Sequence, residues 1–202
     1  MISNIFCKFI IFAVFAATDL LAVEKELGIN GLRHKVVARS TGSSLTTSQR
    51  DTLIRLHNNA RKSVRPAARH MPQMIWNNEL ASIAQAYANK CIWDHNSQRS
   101  SQSKSFSYVG ENLYVTTAST GYLESGVASW VNEKKNYNYA ANSCRGVCGH
   151  YTQVVWAKST SLGCAVGNCA TMTNLSGYRN AKFLVCNYGP GGNISGQKPY
   201  AT

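Results

Sequence analysis

The run Cys148-Gly149-His150-Tyr151-Thr152-Gln153-Val154-Val155-Trp156 places an imidazole directly behind a cysteine and a glycine. Hydroxyl, amide and aromatic groups follow it, and then two valines and a tryptophan that belong in a core. A histidine anchored in this way has a fixed position and a polar surround, the setting in which imidazole works as a metal ligand or an acid–base group. Carboxylates that could serve beside it are scarce, since no acid lies beyond Glu133. Glu111 sits between Gly110 and Asn112, and Glu133 ends an apolar helical stripe directly before Lys134 and Lys135. His95 closes the run Cys91-Ile92-Trp93-Asp94-His95. The separations are long, so spacing alone does not join these residues into one site. His57 falls on the buried side of a helix and reads as structural; His34 and His70 have no context.

The elements that must carry these groups can be read from periodicity. A first helix opens at Thr46, with Gln49 three residues on as a capping box. Leu53, Leu56, His57, Ala60 and Val64 recur at helical spacing, and Pro66 ends the pattern. A second helix starts near Asn77 and lines up Leu80, Ile83, Ala84, Tyr87 and Cys91. A third is predicted over about residues 120–135, with Leu123, Val127, Trp130 and Val131 as its stripe. Beyond residue 150 the pattern changes: Leu162–Val166 and Ala181–Tyr188 read as neighbouring strands, the second stopped by Gly189-Pro190-Gly191-Gly192. Helices first and bridged strands later predict an α+β fold, with helices packed on an antiparallel sheet.

The 202 residues are 44% hydrophobic, enough for one domain with a core. Lys8 and the apolar run Phe9–Ala17, too short to span a bilayer, predict a secretory signal peptide over residues 1–22. Residues 23–45 read as a leader or linker and residues 46–202 as the domain. No other apolar stretch reaches spanning length, so no transmembrane segment is expected. Cys7 leaves with the signal. Cys91, Cys144, Cys148, Cys164, Cys169 and Cys186 remain, an even set that in an oxidising compartment implies three disulfides, with about 15 pairings open. Asn174-Leu175-Ser176 and Asn193-Ile194-Ser195 are candidate glycosylation sites.

The net charge of +12 survives signal removal, because Lys8 and Asp19 depart together. The bland reading is a soluble basic surface. The sharper one is attraction to anionic glycans or acidic lipid headgroups, with Arg61, Lys62, Arg65 and Arg69 as a local basic cluster. Nucleic acid is not an expected partner for a secreted chain without a binding motif.

Several stretches resemble the CAP superfamily, the group of cysteine-rich secretory proteins, antigen 5 and pathogenesis-related proteins. The Cys148–Trp156 run is similar to its first signature and Phe183–Asn193 to its second. His57-Asn58-Asn59-Ala60-Arg61, Met74-Ile75-Trp76 and Gly110-Glu111-Asn112-Leu113 are similar to its earlier motifs, in the family's order. The resemblance implies an α-β-α sandwich, a central antiparallel sheet between helical layers. It implies the pairings Cys91–Cys169, Cys164–Cys186 and Cys144–Cys148. It also implies that His95, Glu111, Glu133 and His150 meet in a cleft where the two histidines bind zinc or another divalent metal. The alternative is that these two Glu and two His only hydrogen-bond and hold three segments together.

The expected function is a secreted binding, signalling or host-interaction factor that captures a small lipid, a sterol or fatty acid, or an extracellular protein. A metal-dependent hydrolase using the tetrad is the alternative. His-Glu-x-x-His and Gly-x-Ser-x-Gly motifs are both absent, which counts against it. Ion-channel modulation and peptidase inhibition are weaker still: no cysteine-rich module follows Cys186, and no reactive loop is visible.

Overall fold

The computed structural model describes residues 45–202. The signal peptide read over 1–22, Cys7, His34 and the leader up to residue 44 lie outside the described residues. Leu45, assigned to the leader, is buried in the core, so packing begins one residue before the domain boundary read from sequence.

Thr46 caps α1 (Thr47–Lys62) as expected: its hydroxyl accepts from the Gln49 N–H, and the Gln49 side chain returns to the Thr46 N–H. The helix stops at Ser63, before Pro66 is reached. Asn77 caps α2 (Asn78–Ala88), whose Leu80, Ile83, Ala84 and Tyr87 are buried. Cys91 lies past its end, buried, with φ at 54°. The third helix is shorter than expected. α3 covers Tyr122–Asn132, and Glu133–Asn136 tightens into a 3₁₀ turn. α4 (Gly149–Val154) is formed by the His150 run itself.

Four strands make the main sheet: β1 (Ile75–Trp76), β2 (Gly110–Thr116), β5 (Ser161–Thr171) and β6 (Arg179–Gly189), in the order β1-β5-β6-β2. β3 (Tyr137–Asn138) and β4 (Ser143–Cys144) form a separate small hairpin. The three long strands are antiparallel as expected, and the two-residue edge strand β1 joins β5 in parallel, so the sheet is mixed. Each sheet face carries its own core. On one, Leu162, Cys164, Val166, Leu184, Cys186 and Tyr188 pack against α1, α3 and α4. On the other, Ala165, Phe183 and Val185 pack with Leu113 and Val115 against Ala84, Tyr87 and Ala88 of α2. This is the sandwich expected. α2 lies tightly on β5: a Cβ at Gly163 would meet the Ala81 nitrogen at 2.2 Å, and one at Gly167 the Ala88 oxygen at 2.2 Å.

All three disulfides form with the pairings the resemblance implied, Cys91–Cys169, Cys144–Cys148 and Cys164–Cys186. Loops of this kind typically contribute about 2–4 kcal/mol each. The basic cluster needs one correction. Arg61 is buried, not part of a surface patch, and donates to the carbonyls of Pro72, Val154, Trp156 and Ala157. Burial pulls its guanidinium down to about 10. Its place on the inner face of α1 turns it toward backbone arriving from far along the chain.

Candidate functional site

Each of the two site histidines is gripped by one carboxylate through the same ring nitrogen. His95 Nδ1 lies 2.8 Å from Glu111 Oε1, which also accepts the Asn96 N–H at 2.9 Å. Glu111 is delivered by β2, and its side chain is fully buried while that of His95 is 52% exposed. The second Glu111 oxygen is buried with no protein partner among the described residues.

His150 Nδ1 lies 2.6 Å from Glu133 Oε1. The other Glu133 oxygen accepts the backbone N–H groups of His150 and Tyr151 at 3.0 and 3.2 Å. Cys148, the residue ahead of α4, offers no side-chain cap. Glu133, at the end of α3, therefore supplies an acceptor and a negative charge to the first turn of α4. The His150 ring lies nearly parallel to that of Trp130, 10° off with centroids 6.4 Å apart.

The structure thus joins the four residues as two separate His–Glu pairs, one of them carried by β2. Alternation along β2 sends Glu111 to the α2 face, with Leu113 and Val115, and Asn112 to the opposite face. There the Asn112 amide donates to the His150 carbonyl at 3.0 Å and to the Tyr188 hydroxyl at 3.1 Å. Adjacent residues of one strand consequently fix both pairs. In the sequence Asn112 stands out only as part of Gly110-Glu111-Asn112-Leu113, and its position next to Glu111 is the signal for its role.

Behind this lies a polar core. His57 is fully buried; its Nδ1 donates to the Leu53 carbonyl at 2.8 Å, and its Nε2 accepts from the Tyr188 hydroxyl at 2.9 Å. Burial lowers its pKa to about 4, so the ring is neutral, and burial raises the Tyr188 phenol. The structural role read for His57 follows directly.

With Nδ1 committed to a carboxylate, each ring is left with Nε2, which has no protein partner among the described residues at either His95 or His150. A carboxylate behind a histidine is the arrangement that orients metal-binding imidazoles. Each histidine by itself therefore has the chemistry of a metal ligand. Glu111 and Glu133 do not complete a four-ligand cage, because their oxygens face imidazole Nδ1, backbone N–H groups or the interior. Among the described residues, no group of three His, Cys, Asp or Glu side chains is placed to hold an ion.

A two-core, three-disulfide sandwich with two separate His–Glu pairs defines the class. The profile of the CAP, cysteine-rich secretory protein, family matches residues 54–188, and the chain belongs to that family. It is 42% identical over 153 residues to GLIPR1-like protein 1 of Mus musculus, covering 74% of this chain and 63% of the relative. It is 41% identical over 160 residues to Peptidase inhibitor 16 of Mus musculus, covering 78% of this chain and 30% of the relative. The chain therefore spans about one third to two thirds of the length of these relatives. Among solved structures it is similar to NaASP2 with Zn2+, at 25% identity and a TM-score of 0.60, over 78% of this chain and 87% of that one. No described helix is long and apolar enough to cross a membrane.

Proposed function

We propose that this protein is a secreted, extracellular binding domain that holds a divalent metal, zinc first, through Nε2 of His95 and His150. The observation that carries this is the matched presentation of the two rings, each clamped at Nδ1 by a carboxylate with Nε2 left over. The similarity to NaASP2, solved with Zn2+, supports it. When bound, zinc would supply a Lewis acid with water in its remaining positions, at Zn–N distances of about 2.0–2.1 Å. The chain's residues orient that ion and do not turn it into a hydrolase. Deprotonating a bound water needs an unspent carboxylate oxygen within its reach: both Glu133 oxygens already hold donors, and the unpartnered Glu111 oxygen is buried in the interior. Titration with zinc should give one ion per chain, abolished by either His95→Ala or His150→Ala. Binding that survives both substitutions overturns the reading.

A second observation favours capture of a small lipid. A cavity of about 490 Å³ lies beside α4, lined by Trp156, Pro199, Val147 and Ile194 among others. Val147 and Ile194 are 59% and 41% exposed, large apolar groups turned to solvent on one cavity. Sterol and fatty-acid probes test it, with Val147→Asp as the substitution that should abolish uptake. Of the two candidate glycosylation sites, Asn174 is the better acceptor. Asn193 holds α4, donating to the Gly149 carbonyl at 2.8 Å and accepting from Thr152 Oγ1 at 2.7 Å.

A further inference from the structure

From Lys134 to Thr202 the chain carries seven Lys and Arg and no Asp or Glu. Part of that imbalance gathers at a cavity of about 580 Å³ formed by four separate segments. His70, Lys158 and Lys198 line it, all three exposed, and no carboxylate side chain does. Its walls include Tyr139, Trp156 and Tyr200. Tyr139 and Tyr200 stack at 4.7 Å, and Lys198 Nζ sits 4.7 Å over the Tyr139 ring while donating to the Ala140 carbonyl.

The scaffold of this cavity is the inward-turned Arg61. Its guanidinium ties together the carbonyls of Trp156 and Ala157, which belong to the wall, and that of Pro72, just beyond His70. The Arg69 N–H donates to the Ala201 carbonyl at 2.8 Å and joins the 197–202 segment to the one that carries His70. The sequence cluster is thereby divided: Arg61 builds the cavity, and cations from distant positions furnish it.

We propose that this cavity binds a sulfated saccharide. A concave site with cations of one sign and low-dielectric aromatic walls focuses its field on an anion. A few charged groups in an apolar lining, within a volume of several hundred Å³, are the features of a small-ligand site. Lysine ammonium groups meet sulfate oxygens as point charges, and the half-buried Tyr139, backed by the buried Trp156 and Tyr200, supplies apolar surface for the C–H face of a sugar. An acidic membrane fits less well. Docking there would call for exposed large apolar groups, and those among the described residues, Ile75, Tyr108, Val147 and Ile194, lie off this cavity.

The test is calorimetric titration of the chain with a fully sulfated, heparin-derived tetrasaccharide. EDTA is present throughout, so the outcome is independent of the zinc reading. Binding should weaken with added salt. Lys158→Glu with Lys198→Glu should reduce affinity about tenfold or more. Lys90→Glu with Lys104→Glu makes the same change in net charge away from the cavity and should cost less than about threefold. NMR shift perturbation on the unmodified protein supplies a measurement that needs no variant, with the largest changes expected at His70, Lys158 and Lys198. Equal losses in the two double variants, perturbations centred elsewhere, or binding to phosphatidylserine vesicles without binding to the tetrasaccharide would each overturn the proposal.

Discussion

Two polar regions meet across β2, and they spend their hydrogen-bonding capacity differently. In the interior, His57 uses both ring nitrogens, on Leu53 and Tyr188, and Arg61 uses every arm of its guanidinium on carbonyls. At the site, His95 and His150 each commit one nitrogen to a carboxylate and keep the other. The same imidazole is therefore a structural part in one place and a presented ligand in the other. The difference lies in how many partners the fold supplies, and that accounting separates stability from binding.

Arg61 is the most heavily committed side chain of the interior. Arg61→Met keeps the stem but strands buried carbonyls from Pro72, Val154, Trp156 and Ala157, which should cost about 4 kcal/mol or more in denaturant unfolding. A loss below about 1 kcal/mol would mean those carbonyls find other donors, and the interior would not be the fully committed region described.

His57 gives the next largest effect and a pH signature. Its pKa is held at about 4 in the folded protein, against 6.5 for an ordinary histidine. Below pH 6.5 the unfolded chain takes up a proton that the folded chain refuses until about pH 4. Stability therefore falls as pH drops through that window, by about 3 kcal/mol for this group. His57→Phe should remove that part of the pH dependence, while costing about 1–3 kcal/mol at neutral pH through the stranded Tyr188 hydroxyl. An unchanged slope in the variant would assign the titration elsewhere.

Much of the positive scaffold was legible because its signals are local. Thr46 with Gln49, Asn77 before α2, and the apolar runs of β5 and β6 announce themselves within a few residues. β2 was not legible as a strand. Its residues are buried on both faces, between α2 and the α3–α4 layer, so the alternation that betrays a half-exposed strand is lost. α4 has no helical signature in sequence because it is six residues long and its first turn is capped by Glu133 from another element. Arg61 misled for the same kind of reason: nothing beside it in sequence distinguishes it from Lys62, and most of its acceptors lie more than 90 residues on. The four site residues came together only through the family resemblance, since their pairing is made by tertiary contacts.

Asn112 sits where the two regions touch, bonded to the His150 carbonyl on one side and the Tyr188 hydroxyl on the other. Asn112→Leu should cost about 1–2 kcal/mol and also lower zinc affinity, since it loosens the backbone that aims His150. A stability loss with zinc affinity unchanged would show that the interior and the site are independent, despite the shared residue.

Glu133→Gln probes the site side alone and should have the smallest effect on folding. The amide oxygen can still accept from the His150 and Tyr151 N–H groups or from the ring, so the cap on α4 is weakened rather than lost. The expected stability change is under about 1 kcal/mol, in line with a partly exposed helix-terminal charge. Zinc affinity should fall about tenfold or more, because the amide no longer holds Nδ1 with a full negative charge behind it. Measured together, the two numbers decide what the pair is for. If Glu133→Gln destabilised the fold by several kcal/mol and left zinc untouched, His150–Glu133 would be a structural clamp like His57–Tyr188, and the distinction between spent and presented imidazoles would fail at this residue.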